Sequence, residues 1–180
     1  MTDAMAHGPS CADPPAGEIP ADEALARILA AVEPLGANET IPLWTAPGRV
    51  LAEDLRSPLD VPGHDNSAMD GYALRSADIP GADVASLALV GRALAGHPYA
   101  GVIGPGQCVA ITTGAPMPLG ADAVVMVERA AAAGDRIRID GRVERGDNVR
   151  LAGEDVRAGS VVAMAGTCLT PALVGVIASL

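Results

Sequence analysis

Residues 60–75 read DVPGHDNSAMDGYALR, and the chain changes character on either side of them. Before the stretch, apolar residues recur at helical spacing. After it, short apolar runs are bounded by Gly, Pro and Asp, which is the pattern of strands. The stretch itself holds Asp60, Asp65, Asp70, Asn66, Ser67 and His64, with glycines at Gly63 and Gly71. A buried core does not require that mixture. Such side chains either bond their own backbone in a series of turns or build a rigid polar loop beside something charged. Spacing leaves both readings open. The residues of interest are Asp65, Asn66, Ser67 and Asp70.

C-terminal to the stretch, residues 72–75, 86–94, 107–112, 123–128, 136–140, 148–151 and 160–164 are predicted strands. Residues 136–140 alternate, which predicts one wet face, whereas 123–127 are apolar throughout and predicted to be buried on both faces. Gly146, Gly153, Gly159 and Gly166 punctuate the last strands at near-regular intervals, a spacing that predicts a meander. On the N-terminal side, residues 1–17 are small, polar and Pro-rich and are expected to form a disordered tail. Residues 19–32 predict a helix, with Pro20, Asp22 and Glu23 in its first turn. Its apolar stripe is Leu25, Ile28, Leu29 and Val32, and Pro34 ends it. Residues 40–44 read as a short edge strand, and Thr45 is expected to cap a short helix reaching about Glu53. Trp44 is expected to be at least half-buried. A last helix is predicted over 170–180, capped by Thr170, with Pro171 in its first turn. Its stripe runs to Leu180 without a capping Gly, which is expected of a piece cut from a longer chain.

Hydrophobic residues make up 49% of the 180, but aromatics only 2%, so the core must be built from Val, Leu, Ile and Ala. The net charge is -10, and all 12 basic residues are arginine. Such a chain repels phosphate backbones and anionic membranes, so no nucleic-acid or membrane partner is expected. Lysine chemistry is excluded within these residues. Cys11, Cys108 and Cys168 are isolated and read as small buried hydrophobes in a reducing compartment. With no apolar signal segment at the N-terminus, a cytoplasmic location is expected.

Two further polar segments could carry chemistry. Residues 111–116, ITTGAP, run an apolar strand into Thr112, Thr113 and Gly114. Strand-end hydroxyls and N–H groups suit an oxyanion, or the segment is an ordinary turn. Residues 150–155, RLAGED, place Glu154 and Asp155 after a glycine. Paired acids can hold a hard cation or orient water, or cap a strand-end turn. Asp122 and Glu128 read as solvated strand ends. His7, His64 and His97 are too dispersed for a zinc site, and no HExxH, GxSxG or dinucleotide fingerprint occurs. His97 and Tyr99 lie in a turn.

Taken in order, DVPGHDNSAMDGYALR, ITTGAPMPLGADAVVMVE and NVRLAGEDVRAGSVV resemble the molybdopterin molybdenumtransferase family, which includes MoeA and the gephyrin E domain. The likeness covers roughly residues 21–180. It implies insertion of molybdate into adenylylated molybdopterin, with Mg²⁺-dependent release of AMP. Carried over by motif, Asp70, Thr113 and Asp155 line the cleft as catalytic residues, and Asn66, Ser67 and Gly114 bind substrate. Asp65, Asn66 and Ser67 also shape the loop. The metal ligands stay unassigned.

The resemblance further implies a mixed, mainly β fold. A β-rich domain of residues 57–155 is expected to be inserted into an extended α+β module made from residues 18–56 and 156–180. A homodimer is implied, in which this wall faces a cofactor-binding α/β domain that these residues do not include. Two other readings stand beside it. One is a non-catalytic dimerisation or scaffold module. The other is an unrelated Mg²⁺-dependent phosphohydrolase in which Asp70 and Asp155 share a cation.

Overall fold

The computed structural model describes residues 18–33, 36–79, 81 and 84–180. The expectations for the first 17 residues, for Cys11 and for Pro34 lie outside them. The chain divides into two compact units at Thr40/Ile41. In the first, helix α1 (Ala21–Ala30) starts after Pro20, has Asp22 and Glu23 in its first turn, and pairs Glu23 with Arg27 one turn on. Its stripe residues Leu25, Ile28 and Leu29 are exposed.

The second unit is β-rich. Its strands are β1 (Leu55–Arg56), β2 (Asn66–Ser67), β3 (Gly71–Leu74), β4 (Ala85–Ala93), β5 (Gln107–Ile111), β6 (Ala123–Met126), β7 (Ala130–Ala133), β8 (Arg136–Ile139), β9 (Val149–Arg150) and β10 (Val161–Ala163), and it ends in helix α2 (Pro171–Ile177). Six strands form one sheet in the order β6-β3-β5-β4-β8-β7. Only β4 and β5 run parallel, with a bulge between Leu89 and Gly91. Strands β6, β3 and β5 are buried on both faces. Leu74, Leu87, Cys108, Val125, Ile137 and Ile139 pack on one side, and Ala73, Val109, Ile111, Ala115 and Val124 on the other. The apolar run of β6 feeds both clusters, as its composition predicts. β8 alternates exposed Arg with buried Ile.

The sheet is closed off by a long irregular ribbon. One arm runs from Gly48 to Ala68, and the other returns antiparallel from Leu169 to Asn148. Its rungs include Gly48–Leu169, Leu51–Thr167, Ser57–Ser160, Val61–Val156 and Ala68–Asn148. Where the backbone ladder lapses, a carboxylate fills the gap. Asp54, Asp60 and Asp65 each accept a backbone N–H, from Ala165, Ala158 and Ala152 respectively, at 2.9, 2.8 and 2.8 Å. Each of those alanines precedes a glycine at positive φ: Gly166, Gly159 and Gly153. A side chain at such a backbone angle is strained, so Gly makes these bends available.

Several expectations are corrected. The C-terminal strands do not form a meander, because β9 pairs with β2 and β10 with β1. No helix follows Thr45. A single 3₁₀ turn covers Leu43–Thr45, and Gly48, at φ 82°, turns the chain into the ribbon. No strand forms over 40–44. Trp44 is 81% exposed, not half-buried. Cys108 is buried as expected, but Cys168 is exposed. In α2, Thr170 caps through its hydroxyl, which accepts from the Leu173 N–H at 3.2 Å.

Candidate functional site

The ribbon and the sheet meet at residues 66–71, and the two other polar motifs are fastened there. β5 ends at Ile111 and the chain turns over Thr112–Ala115, closed by the Ala115 N–H donating to the Thr112 carbonyl at 3.0 Å. Gly114, at φ 78°, occupies the third position, where this type of turn needs a positive φ. The turn is tied to the opening stretch at several points. The Gly114 N–H donates to the Ser67 carbonyl at 2.8 Å, and the Ser67 N–H to the Ala115 carbonyl at 3.0 Å. The Thr113 N–H and hydroxyl both donate to Oδ1 of Asp70, at 2.7 and 2.8 Å.

Those two donors hold the Asp70 carboxyl below its ordinary range. The backbone N–H of Thr113 contributes most, its hydroxyl next, against a small opposing effect of burial. Oδ2 of Asp70 has no hydrogen-bond partner among the described residues. The backbone of Asp70 is fixed by its carbonyl, which accepts from the Val127 N–H. The next residue, Gly71, lies so close to β6 that a Cβ would sit 1.9 Å from the Val125 carbonyl oxygen.

Asn66 and Ser67 lie beneath the surface, 7% and 1% exposed. The Ser67 hydroxyl is turned inward: it donates to the Met69 carbonyl at 2.6 Å and accepts from the Met69 N–H at 3.3 Å. Asn66 donates its amide to the His64 carbonyl. Asp155 sits elsewhere on the ribbon. Its N–H donates to the Val61 carbonyl, and its carboxylate receives Arg150 at 2.6 Å. Arg150 also approaches Glu154 at 3.7 Å. The structure therefore bonds Asp70 directly to Thr113, and bonds Ser67 to Gly114. Asp155 is joined to them through the ribbon, where Arg150 lies opposite Asn66 and the Ala152 N–H reaches the Asp65 carboxylate. Asp155 and Glu154 line a shallow groove of about 440 Å³.

Among the described residues, no group of three or more His, Cys, Asp or Glu side chains is placed to hold a metal. Of the two acids in the phosphohydrolase reading, Asp155 is paired with Arg150 and Asp70 with Thr113. Asp122 is structural: its two oxygens accept from the N–H and the hydroxyl of Ser76. Tyr99 packs its ring against Gly91 and Gly101. A larger cleft of about 510 Å³, lined by Glu128, Arg129, Arg138 and Asp140 among others, includes Glu128 at the end of the second motif but none of Asp70, Thr113 and Asp155.

The family model for the MoeA N-terminal region (domain I and II) matches residues 19–180. The chain belongs to the MoeA family. It is 41% identical over 139 residues to a molybdopterin molybdenumtransferase of Synechococcus elongatus, covering 75% of this chain and 34% of that relative. To the Haemophilus influenzae protein of the same name it is 38% identical over 160 residues, covering 88% of this chain and 39% of the relative. The fold is similar to the crystal structure of the molybdopterin biosynthesis moeA protein from Pyrococcus horikoshii. The TM-score is 0.85 at 36% identity, over 90% of this chain and 44% of that one. The chain thus spans about two fifths or less of the curated MoeA relatives it matches. No helix among the described residues is long and apolar enough to cross a membrane.

Two residues that hold this candidate site were not singled out in the sequence. Arg150 precedes Glu154 and Asp155 by one helical turn's spacing, a signal available but unused. Asn148 takes φ 54°, donates its amide to the Val124 carbonyl at 2.8 Å, and accepts from the Ala68 N–H at 2.9 Å. Its role depends on a strand 24 residues away, which local pattern does not reveal.

Proposed function

We propose that this chain acts in molybdenum cofactor biosynthesis as one wall of a molybdenumtransferase site, in the cytoplasm. There molybdate is inserted into adenylylated molybdopterin, and AMP is released. The observation that carries the reading is the Asp70–Thr113 clamp, which joins two of the family's motifs at one exposed point. Asp155 and the paired Arg150 form the second part of the wall.

The chemistry of the clamp refines what each residue offers. Both Thr113 protons are committed to Asp70, so the Thr113 hydroxyl presents only its lone pairs outward. Gly114 likewise spends its N–H on Ser67 and offers open space above a backbone without a side chain. The wall is therefore an acceptor surface, suited to a hydroxyl, water or cation rather than to a bare oxyanion. The free oxygen of Asp70 fits Mg²⁺ in the mode that uses one carboxylate together with substrate phosphates, and not an all-protein cage. When bound, Mg²⁺ would neutralise charge between the phosphoanhydride and this acidic wall. Asp70 otherwise orients a water or hydroxyl by accepting its hydrogen bond. Arg150 limits the negative charge at Asp155.

We further propose that residues 57–155 form the inserted domain and that residues 18–56 and 156–180 form the module around it. The pairing of β1 with β10 and of Val50 with Cys168 supports this division. A homodimer is proposed, with exposed apolar residues such as Trp44 and Met164 supporting a contact surface.

The test is a chimera of the Haemophilus influenzae relative carrying residues 19–180 of this chain. It should release AMP from adenylylated molybdopterin in the presence of molybdate and Mg²⁺, and these residues alone should not. A chimera that folds and binds substrate but gives the same rate with Asp70→Asn and Thr113→Ala would overturn the reading.

A further inference from the structure

We propose that Ser67 is the positioning residue that sets Asp70 against Thr113, and does not itself touch substrate. The proposal deepens the site reading above, but its test does not depend on turnover.

Ser67 holds both arms of the clamp, by different atoms. Its backbone holds the arm that carries Thr113: the carbonyl accepts from the Gly114 N–H at 2.8 Å, and the N–H donates to the Ala115 carbonyl at 3.0 Å. Its hydroxyl holds the arm that carries Asp70. It folds residues 67–69 into a tight turn by donating to the Met69 carbonyl at 2.6 Å and accepting from the Met69 N–H at 3.3 Å. This local bonding of a serine to backbone two residues on is a known way for a side chain to fix a turn. Ser67 also lies opposite Val149 in the β2–β9 ladder, so the third motif is registered to the same residue. At 1% exposure, with its hydroxyl already engaged in both directions, it has little left for a ligand.

The division of labour makes the test selective. Ser67→Ala removes only the arm leading to Asp70, because the backbone bonds to Gly114 and Ala115 survive. In native-state amide exchange of the chain, the Thr113 N–H, which depends on Asp70, should lose about tenfold of its protection, the worth of one ordinary hydrogen bond, while the Gly114 N–H keeps its own. A general loss of stability would lower both together. Ser67→Thr, which restores the hydroxyl, should return Thr113 to its original protection. Should Ser67→Ala fail to fold, the unsubstituted chain gives a second reading. Its Met69 and Thr113 amides should open with the same free energy across denaturant. The proposal is overturned if Ser67→Ala leaves Thr113 protection unchanged or lowers Gly114 equally, or if Met69 and Thr113 open independently.

Discussion

At Asp70 two Thr113 donors converge on a single oxygen, and an asparagine can place an oxygen in the same position. Asp70→Asn should therefore leave the Tm almost unchanged while lowering AMP release in the chimera on the order of 10²-fold, since it keeps the geometry and removes the charge. Thermal melts run beside the activity assay separate the two effects. Gly71 is the opposite case. A methyl group 1.9 Å from the Val125 carbonyl cannot be accommodated without parting β3 from β6. Gly71→Ala should cost at least about 3 kcal/mol in urea unfolding, with activity lost only because the fold is lost. Cys108 supplies a pH signature. Burial pushes its thiol from 9.0 up to about 11. The folded state holds this proton more tightly than the unfolded chain does. The associated stability is thus complete below about 9 and is lost as pH rises towards 11. Urea midpoints measured across that window should fall, and Cys108→Ala should lack this component of the fall. The burial of Cys108 was legible in the sequence. The exposure of Cys168 was not, since an isolated cysteine carries no sign of which side of a ribbon it faces.

Among the elements, β6 shows how an edge strand is covered without another strand. The Asp147 carbonyl accepts from the Val124 N–H, and the Asn148 amide donates to the Val124 carbonyl, so one turn satisfies both groups that a neighbour would have taken. Asn148→Gly keeps the left-handed backbone and loses only the amide, for an expected cost of about 1 kcal/mol. Asn148→Ala adds backbone strain and should cost about 2 kcal/mol or more, an order that equilibrium unfolding of both variants will check. The longer strands were legible because continuous apolar character marks burial on both faces, as in β6, and alternation marks one wet face, as in β8. β7 was missed, being four alanines with no strand preference of their own. Its structure comes from β8, whose Arg–Ile alternation fixes a register that the alanines only follow. β1 and β2, two residues each, are too short to show any period.

On the scale of the molecule, the ribbon decides how the parts are held. Its glycines were visible as punctuation, yet the meander drawn from them was wrong, because each Ala-Gly bend is matched by an aspartate in the other half of the chain. Local periodicity cannot report a partner 111, 98 or 87 residues away. Replacing Asp54, Asp60 or Asp65 by Ala should destabilise the fold by about 1 kcal/mol each, by the loss of one hydrogen bond to backbone, and nearly additively because the three share no partner. Denaturant midpoints of the single and triple variants measure this. The same arrangement bears on the order of events during synthesis. The strands between the two arms can pair as soon as they have left the ribosome, whereas the first arm must wait for the second to emerge. Until then the Asp70 loop lacks the strand that registers it, so the loop takes its place only when two distant arms close upon each other.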